Sequence, residues 1–152
     1  MECCEIISSS NSVINCKTCN KPSLKVELFV LKHQLNPTKK LNLPDKEYFY
    51  CKTPKCPMVY FSKDGDSFTK EDVRIKIRIK EDNQDDLPVC YCFGFTERQI
   101  REDFLKNGTS KITEWIKQEV KAKHCACEYK NPSGHCCLGD IGEVIKRSKI
   151  NG

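Results

Sequence analysis

The pattern of apolar and polar residues divides the chain into a β-rich part and a helical part. In the first part, short apolar runs alternate with polar residues, which predicts strands over residues 24–30, 48–50, 59–61 and 73–80. In the last of these, every second residue is Val or Ile and the others are Arg or Lys. A half-buried strand with a basic outer face is therefore expected there. The sequence Lys-Asp-Gly-Asp at 63–66 is typical of a hairpin turn.

The second part of the chain has apolar residues spaced three and four apart, as on one face of a helix. Thr96 and Gln99 form a capping box, a pair of side chains that satisfies the first amides of a helix. A second helix is predicted over 111–123. A third is predicted to begin at a further capping box, formed by Asp140 and Glu143.

These elements predict an α+β protein with two modules joined by an acidic linker. The predicted parts are a loose N-terminal lead-in at 1–15, a small β-rich module at 16–80, the linker at 81–87 and a helical module at 88–152. No apolar run approaches the roughly 20 residues that a membrane span needs. The acidic start Met-Glu-Cys-Cys-Glu is unlike a secretory signal, so a cytoplasmic protein is expected.

The cysteine content is the strongest indication of the protein's chemistry, since 12 of the 152 residues are cysteine. Only 38% of the residues are hydrophobic and 31% are charged, so the apolar core is lean and cross-links are expected to support it. The cysteines occur in close pairs, as in metal-binding turns. Because cytoplasmic thiols are kept reduced, this spacing favours metal ligation over a disulfide framework.

Four cysteines on two turns predict a structural zinc site. Cys16-x2-Cys19 and Cys51-x4-Cys56 are separated by a β segment, and four thiolates from two such turns suit tetrahedral zinc. Bound zinc would add folding free energy to a segment with a small core. Two alternatives remain open at this point. The thiols are free and buried, or the module is a zinc ribbon that binds nucleic acid through residues 73–80.

The remaining cysteines of the helical part have a different spacing. A Cys-x-Cys at 90–92 precedes the helix capped by Thr96, and the pair Cys136-Cys137 precedes the third predicted helix. Unpaired amides and the helix dipole at these positions favour negatively charged sulfur. Four cysteines are the usual ligands of a [2Fe–2S] cluster, which is therefore expected in this module.

The ordered set of motifs resembles the N-terminal domain of CopZ-type iron–sulfur copper chaperones, over roughly residues 16–145. The resemblance rests on C-x2-C, then C-x4-C, then Val-Cys-Tyr-Cys, then Cys-x8-Cys-Cys around Asn-Pro-Ser-Gly. Residues 88–105 also resemble the start of the bacterioferritin-associated-ferredoxin-like (BFD-like) [2Fe–2S] fold. The resemblance implies zinc on Cys16, Cys19, Cys51 and Cys56, and a [2Fe–2S] cluster on Cys90, Cys92, Cys127 and Cys137.

Several of these residues have alternatives. The alternatives are Cys136 in place of Cys137, Cys125 in place of Cys127, and His124 or His135 as a cluster ligand or as a hydrogen-bond donor to sulfur. Near the N-terminus, Cys3 and Cys4 are either incidental or a soft-metal clip for Cu⁺.

The resemblance implies a metallochaperone or redox protein that transfers one electron in copper handling, from Cu(II) to Cu(I). The partners it implies are a redox partner and either a copper-transporting ATPase or a separate heavy-metal-associated-domain protein. The Met-x-Cys-x-x-Cys copper loop of such domains is absent from the sequence. In such a loop Met stands two residues before the first cysteine, and the residue two before Cys16 is Ile14. No nucleophile–base–orienter set predicts hydrolytic catalysis, so an enzyme is not expected.

Two other functions compete with this one: a ferredoxin-like electron carrier that does not involve copper, and a zinc-ribbon protein that binds nucleic acid. At first sight, the formal net charge of +5 favours the zinc-ribbon protein that binds nucleic acid. Eight metal-bound thiolates add eight negative charges, however, and zinc with an oxidised cluster core returns four positive ones. The loaded protein is then near +1, which weakens the case for nucleic acid.

Overall fold

The computed structural model describes residues 14–151, which form two compact units. The N-terminal unit consists of residues 14–82 with 132–134, and the C-terminal unit consists of residues 83–131 and 135–151. The division falls within the acidic segment 81–87. Cys3, Cys4 and most of the predicted lead-in lie outside the described residues. No helix within residues 14–151 is long and apolar enough to cross a membrane.

The N-terminal unit is built on an antiparallel sheet of four strands in the order β1-β2-β3-β4. The strands are β1 (Leu24–Val26), β2 (Tyr48–Tyr50), β3 (Met58–Phe61) and β4 (Ser67–Thr69). Aromatic side chains pair across the two central strands. Phe49 lies opposite Phe61 and Tyr50 opposite Tyr60, with ring centroids 5.8 Å apart in both pairs. Such cross-strand aromatic pairs compensate for the short strands.

The predicted strand at 24–30 is a strand only as far as Val26. Helix α1 (Leu28–Gln34) follows it, and a short helix α2 (Pro37–Lys40) comes next. Val30, Leu31 and Gln34 are buried on one side of α1, where they join the apolar cluster below the sheet. The alternation over 24–30 was therefore misleading, because packing against the sheet favours a helical turn over continued strand pairing.

The predicted basic strand at 73–80 is wrong. Val73 makes one isolated bridge, and the Arg74 amide donates to the Gln34 carbonyl at the end of α1 instead of to a strand neighbour. Residues Arg78–Lys80 form a 3₁₀ turn. Arg78 and Lys80, which the alternation placed on the solvent side, are 7% and 3% exposed.

The C-terminal unit consists of helices around a separate apolar core. The helices are α3 (Glu97–Asn107), α4 (Lys111–Lys121), α5 (Cys127–Lys130) and α6 (Leu138–Asn151). The predicted capping box of Thr96 and Gln99 opens α3, and Gly108, with a φ of 72°, ends it. The core is formed mainly by the branched aliphatic residues Ile100, Ile116, Val120, Ile141 and Val144.

The start of α6 differs from its prediction. The helix begins at Leu138, so Asp140 lies within its first turn and does not cap it. The Cys137 carbonyl already accepts the amide of Ile141 at 3.0 Å, which makes Cys137 the residue that precedes the helix. The predicted capping box at Asp140 and Glu143 is therefore wrong, and the paired cysteines stand closer to the helix than expected.

The acidic segment 81–87 is tied to α3. Asp86 accepts hydrogen bonds from Arg98 at 2.9 and 3.1 Å, and Asp85 accepts two from Arg101 at 3.1 Å. The hydrogen bonds from Arg101 hold the pKa of Asp85 below its usual range. Residues 83–87 thus belong to the C-terminal unit rather than to a free linker.

Asp103 connects α3 to the start of α4, since its carboxylate accepts hydrogen bonds from the Ile112 amide at 2.9 Å and from the Ser110 hydroxyl at 3.3 Å.

Asp103→Ala is expected to lower the free energy of unfolding by about 1 kcal/mol, as for other lost helix caps. The free energy of unfolding is measured by denaturant unfolding, followed by the fluorescence of Trp115, the sole tryptophan. The exposed neighbour Glu102 provides the control Glu102→Ala. Equal losses in both variants would contradict the capping role.

Candidate metal centres

Four cysteines of the N-terminal unit converge on one point. The Sγ atoms of Cys16, Cys19, Cys51 and Cys56 all lie within 4.8 Å of one another. The separation is 3.9 Å between Cys16 and Cys56 and 3.8 Å between Cys19 and Cys51. A tetrahedral zinc ion with Zn–S bonds of about 2.3 Å places its sulfurs about 3.8 Å apart. The thiols therefore fit zinc in number, type and spacing.

Two tight turns position these thiols. In the first knuckle (residues 16–19), the chain reverses at Asn20, which has a φ of 60° and donates its amide to the Cys16 carbonyl at 2.8 Å. In the second knuckle (residues 51–56), Lys55 has a φ of 66° and the Cys56 amide donates to the Thr53 carbonyl at 3.3 Å. A residue in the left-handed backbone conformation turns the chain sharply enough for both cysteines of a pair to face one ion.

Cys16, Cys19 and Cys56 differ in their tendency to ionise. Partial burial opposes ionisation of Cys19, but hydrogen bonds from the Thr53 hydroxyl and the Lys21 amide outweigh it and lower the pKa of Cys19 to about 6. The Thr53 Oγ1 atom lies 3.1 Å from the Cys19 Sγ atom. Burial raises the pKa of Cys16, and it raises the pKa of Cys56 to about 12. At neutral pH the metal-free site thus combines a thiolate at Cys19 with protonated thiols.

Zinc affinity is expected to rise steeply with pH. Zinc binds thiolates, so Cys16 and Cys56, whose pKa values are raised, each release a proton on binding at neutral pH. Two released protons increase the apparent association constant about 100-fold per pH unit. Competition with a chromophoric chelator between about pH 7 and pH 8 measures this slope. A change of tenfold or less per unit would contradict the raised pKa values.

A second group of thiols gathers in the C-terminal unit. The Cys92 Sγ atom lies 3.2 Å from that of Cys127, and the Cys127 Sγ atom lies 3.9 Å from that of Cys137. The thiols of Cys90 and Cys137 share a hydrogen bond, and Cys136 is hydrogen-bonded to Cys127. Cys90, Cys127 and Cys137 are buried, whereas Cys92 and Cys136 are partly exposed. The structure thus brings together every predicted cluster residue, with both alternatives at 136 and 137.

Two of these cysteines favour negatively charged sulfur. Hydrogen bonds from the Cys127 and Cys90 thiols outweigh burial and lower the pKa of Cys137 to about 4. The Cys127 thiol lowers the pKa of Cys92, and the Ala126 amide, which donates to the Cys92 Sγ atom at 3.1 Å, lowers it further. Hydrogen bonds with neighbouring thiols raise the pKa of Cys90 and that of Cys127. Four cysteine sulfurs are the type and number of ligands that a [2Fe–2S] cluster uses.

The other candidates from the sequence have different surroundings. Cys125 is disulfide-bonded and is therefore not a free thiol. Cys127 is a free thiol, and its Sγ atom lies next to that of Cys92. The exposed His124 ring lies with Nδ1 3.0 Å from Glu119 Oε1. Burial lowers the pKa of His135.

Two residues that the sequence analysis did not single out lie beside the zinc ligands. Thr53 places its hydroxyl next to Cys19, and Lys80 donates from Nζ to the Thr53 carbonyl at 2.9 Å. A residue with a hydroxyl group inside a Cys-x4-Cys turn could have been predicted from the sequence to form a hydrogen bond with sulfur. Lys80 carried no such signal, because its place in the alternating pattern predicted exposure.

Comparisons with known proteins agree with the zinc site. Residues 14–74 match the family model zf_CopZ, a zinc binding domain. The chain is 34% identical over 91 residues to the copper chaperone CopZ of Archaeoglobus fulgidus, covering 60% of this chain and 42% of that protein. The chain therefore spans less than half the length of this curated relative.

The fold has a similar solved structure. The X-ray structure of the N-terminal domain of Archaeoglobus fulgidus CopZ matches with a TM-score of 0.73 and 26% identity, over 86% of this chain and 97% of that one. The matched family region contains all four convergent cysteines of the N-terminal unit. Residues 14–74 are therefore similar to zinc-binding domains of the CopZ type, in an α+β chain whose fold is similar to that of the N-terminal domain of CopZ.

Proposed function

We propose that this protein binds two different metal centres and transfers single electrons in copper handling. Zinc is held by Cys16, Cys19, Cys51 and Cys56, and a [2Fe–2S] cluster by Cys90, Cys92, Cys127 and Cys137, with Cys136 as the alternative to Cys137. The observation that carries the proposal is the separation of the thiols into two groups with different surroundings. One group has tetrahedral spacing between two knuckles, and the other lies beside amide donors and a helix start.

The zinc site has a structural role in this proposal. Cys16, Cys51 and Cys56 are at most 7% exposed, and four cysteines complete the coordination of zinc without an open position. Zinc also has no redox chemistry of its own. The site therefore stabilises the sheet and takes no part in electron transfer.

The second thiol group has the properties of an electron-transfer site. A [2Fe–2S] cluster supplies one-electron redox chemistry when it is bound. Cys137 and Cys92, both with lowered pKa values, stabilise the thiolate form that such a cluster needs. Cys92 and Cys136 are partly exposed, which leaves this side of the site accessible to a redox partner.

The copper part of the proposal is supported by the similarity to the copper chaperone CopZ, which covers 42% of that protein. The one-electron product, Cu(I), prefers thiolate ligands. Its acceptor is proposed to be a heavy-metal-associated-domain protein or a copper-transporting ATPase, with the exchange taking place in the cytoplasm. A ferredoxin-like carrier without copper is the alternative. The burial of Arg78 and Lys80 removes the main support for nucleic-acid binding.

Adding Cu(II) to the dithionite-reduced protein tests the copper proposal. After anaerobic purification and removal of excess dithionite, one Cu(II) is expected to be reduced for each electron stored, with Cu(I) detected by a chromophoric chelator. The Cys137→Ser variant, expected to lack iron, is the control for Cu(I) formed when free thiols are oxidised to disulfides, and the wild type is expected to exceed it by one Cu(I) for each reduced cluster. A protein that contains iron but neither reoxidises nor yields Cu(I) would contradict the copper role and leave the electron-carrier alternative.

A further inference from the structure

Lys80 is a buried ammonium group without a carboxylate partner among residues 14–151. Its side chain belongs to a residue that is 3% exposed, and its Nζ atom contacts the Thr53 carbonyl at 2.9 Å and the Tyr50 ring at 5.9 Å from the centroid. Lysine is almost never fully buried unless it is paired, because an uncompensated buried charge is costly. The position therefore calls for negative charge that is not a carboxylate.

Neighbouring lysines show the contrast. Lys55 pairs with Asp82 at 3.0 Å and Lys70 with Glu81 at 3.7 Å, and the two lysine side chains are 60% and 36% exposed. The acidic residues next to Lys80 in the sequence are thus engaged by other cations. Exposed pairs of this kind contribute little to stability, so they do not explain why Lys80 alone is buried.

The zinc site supplies the missing negative charge. Four thiolates with one Zn²⁺ carry a formal charge of −2. Thr53 connects the two groups, since its carbonyl accepts from Lys80 and its Oγ1 atom lies 3.1 Å from the Cys19 Sγ atom. The Lys55 amide also donates to the Ile79 carbonyl at 2.8 Å, so residues 79 and 80 are fastened to the second knuckle at two points.

We propose that Lys80 is the counter-charge of the zinc tetrathiolate and that it sets the zinc affinity of the site through this charge. The inference rests on zinc being held by Cys16, Cys19, Cys51 and Cys56. A cation near the site stabilises the loaded state through attraction to its formal charge of −2. Lys80 also positions the second knuckle through the Thr53 carbonyl.

Three variants of the full chain separate the charge from the hydrogen bond. Lys80→Gln removes the charge but keeps a side-chain N–H donor, and Lys80→Arg keeps the charge. Lys70→Gln is the matched control, because Lys70 is a lysine of the same unit that lies outside both knuckles and pairs with the Glu81 carboxylate at 3.7 Å. In competition with a chromophoric chelator, Lys80→Gln is expected to bind zinc about 10- to 100-fold more weakly, as for other lost outer-shell partners. The two other variants are expected to stay within about threefold of the wild type.

Each outcome decides the matter. Wild-type affinity in Lys80→Gln contradicts the proposal, and so does an equal loss in Lys80→Gln and Lys80→Arg, which would assign Lys80 a packing role only. Failure of Lys80→Gln to fold at saturating zinc, beside a Lys80→Arg chain that folds, supports the proposal, because zinc binding and folding are linked. A wild-type chain that binds no zinc overturns the zinc assignment itself, which is a distinguishable result.

Discussion

Replacing Cys51 with serine is expected to abolish zinc binding and unfold the N-terminal unit, with most of the iron retained. Cys51 is fully buried beside Phe49 and Phe61, and its Sγ atom lies 3.8 Å from that of Cys19. Structural zinc contributes about 10–16 kcal/mol of binding free energy, which is also folding free energy. Strands of three or four residues with a small core have no comparable source of stability. The effect is therefore far larger than that of a typical core substitution.

Metal analysis and near-ultraviolet circular dichroism measure this effect. The tyrosines of β2 and β3 report on the sheet, while Trp115 fluorescence reports on the C-terminal unit. Cys92→Ser is the reciprocal control, expected to lose iron and keep zinc. A Cys51→Ser chain that retains one zinc per molecule would show that this cysteine is not a ligand.

The second large effect is expected at Cys137. Cys137→Ser should lose the iron, whereas Cys136→Ser should retain it. Cys137 is buried, shares hydrogen bonds with the Cys90 and Cys127 thiols and stands directly before α6. Cys136 is partly exposed and contacts Cys127. Serine removes one cluster ligand in the first variant and a non-ligating thiol in the second.

The two variants form a matched pair, because they change adjacent residues in the same way. Iron content and visible absorption after anaerobic purification are the readouts, with zinc content as the internal reference. Loss of iron from Cys136→Ser alone would transfer the ligand role to Cys136. Retention of iron by both variants would mean that either thiol suffices.

The parts predicted correctly from the sequence are those fixed by local interactions. The capping box of Thr96 and Gln99 opens α3 where expected, because its hydrogen bonds join residues three apart. The convergence of Cys16, Cys19, Cys51 and Cys56 could likewise be predicted, since each pair lies within one turn and only the meeting of the two turns is a tertiary event. That meeting follows from the pairing of β1 with β2, since the first knuckle precedes β1 and Leu24 lies opposite Tyr50, the residue directly before the second knuckle.

The errors arose where tertiary packing decides the backbone. Residues 73–80 alternate like a strand, yet the Arg74 amide bonds to the end of α1 and the following residues turn towards the second knuckle. Burial of Lys80 could not be inferred from this pattern, because it depends on contacts with Thr53 and Tyr50, which are distant in the sequence. The early start of α6 was missed for a related reason: the Cys137 carbonyl, and not a polar side chain, begins the helix.

The cysteines of this chain are proposed to form two sets that bind different metals. Metal analysis of anaerobically purified wild-type protein, together with its visible absorption spectrum, distinguishes two such sets from one. We expect one zinc and two irons per chain in a brown protein. A colourless protein with two zinc ions and no iron would contradict it.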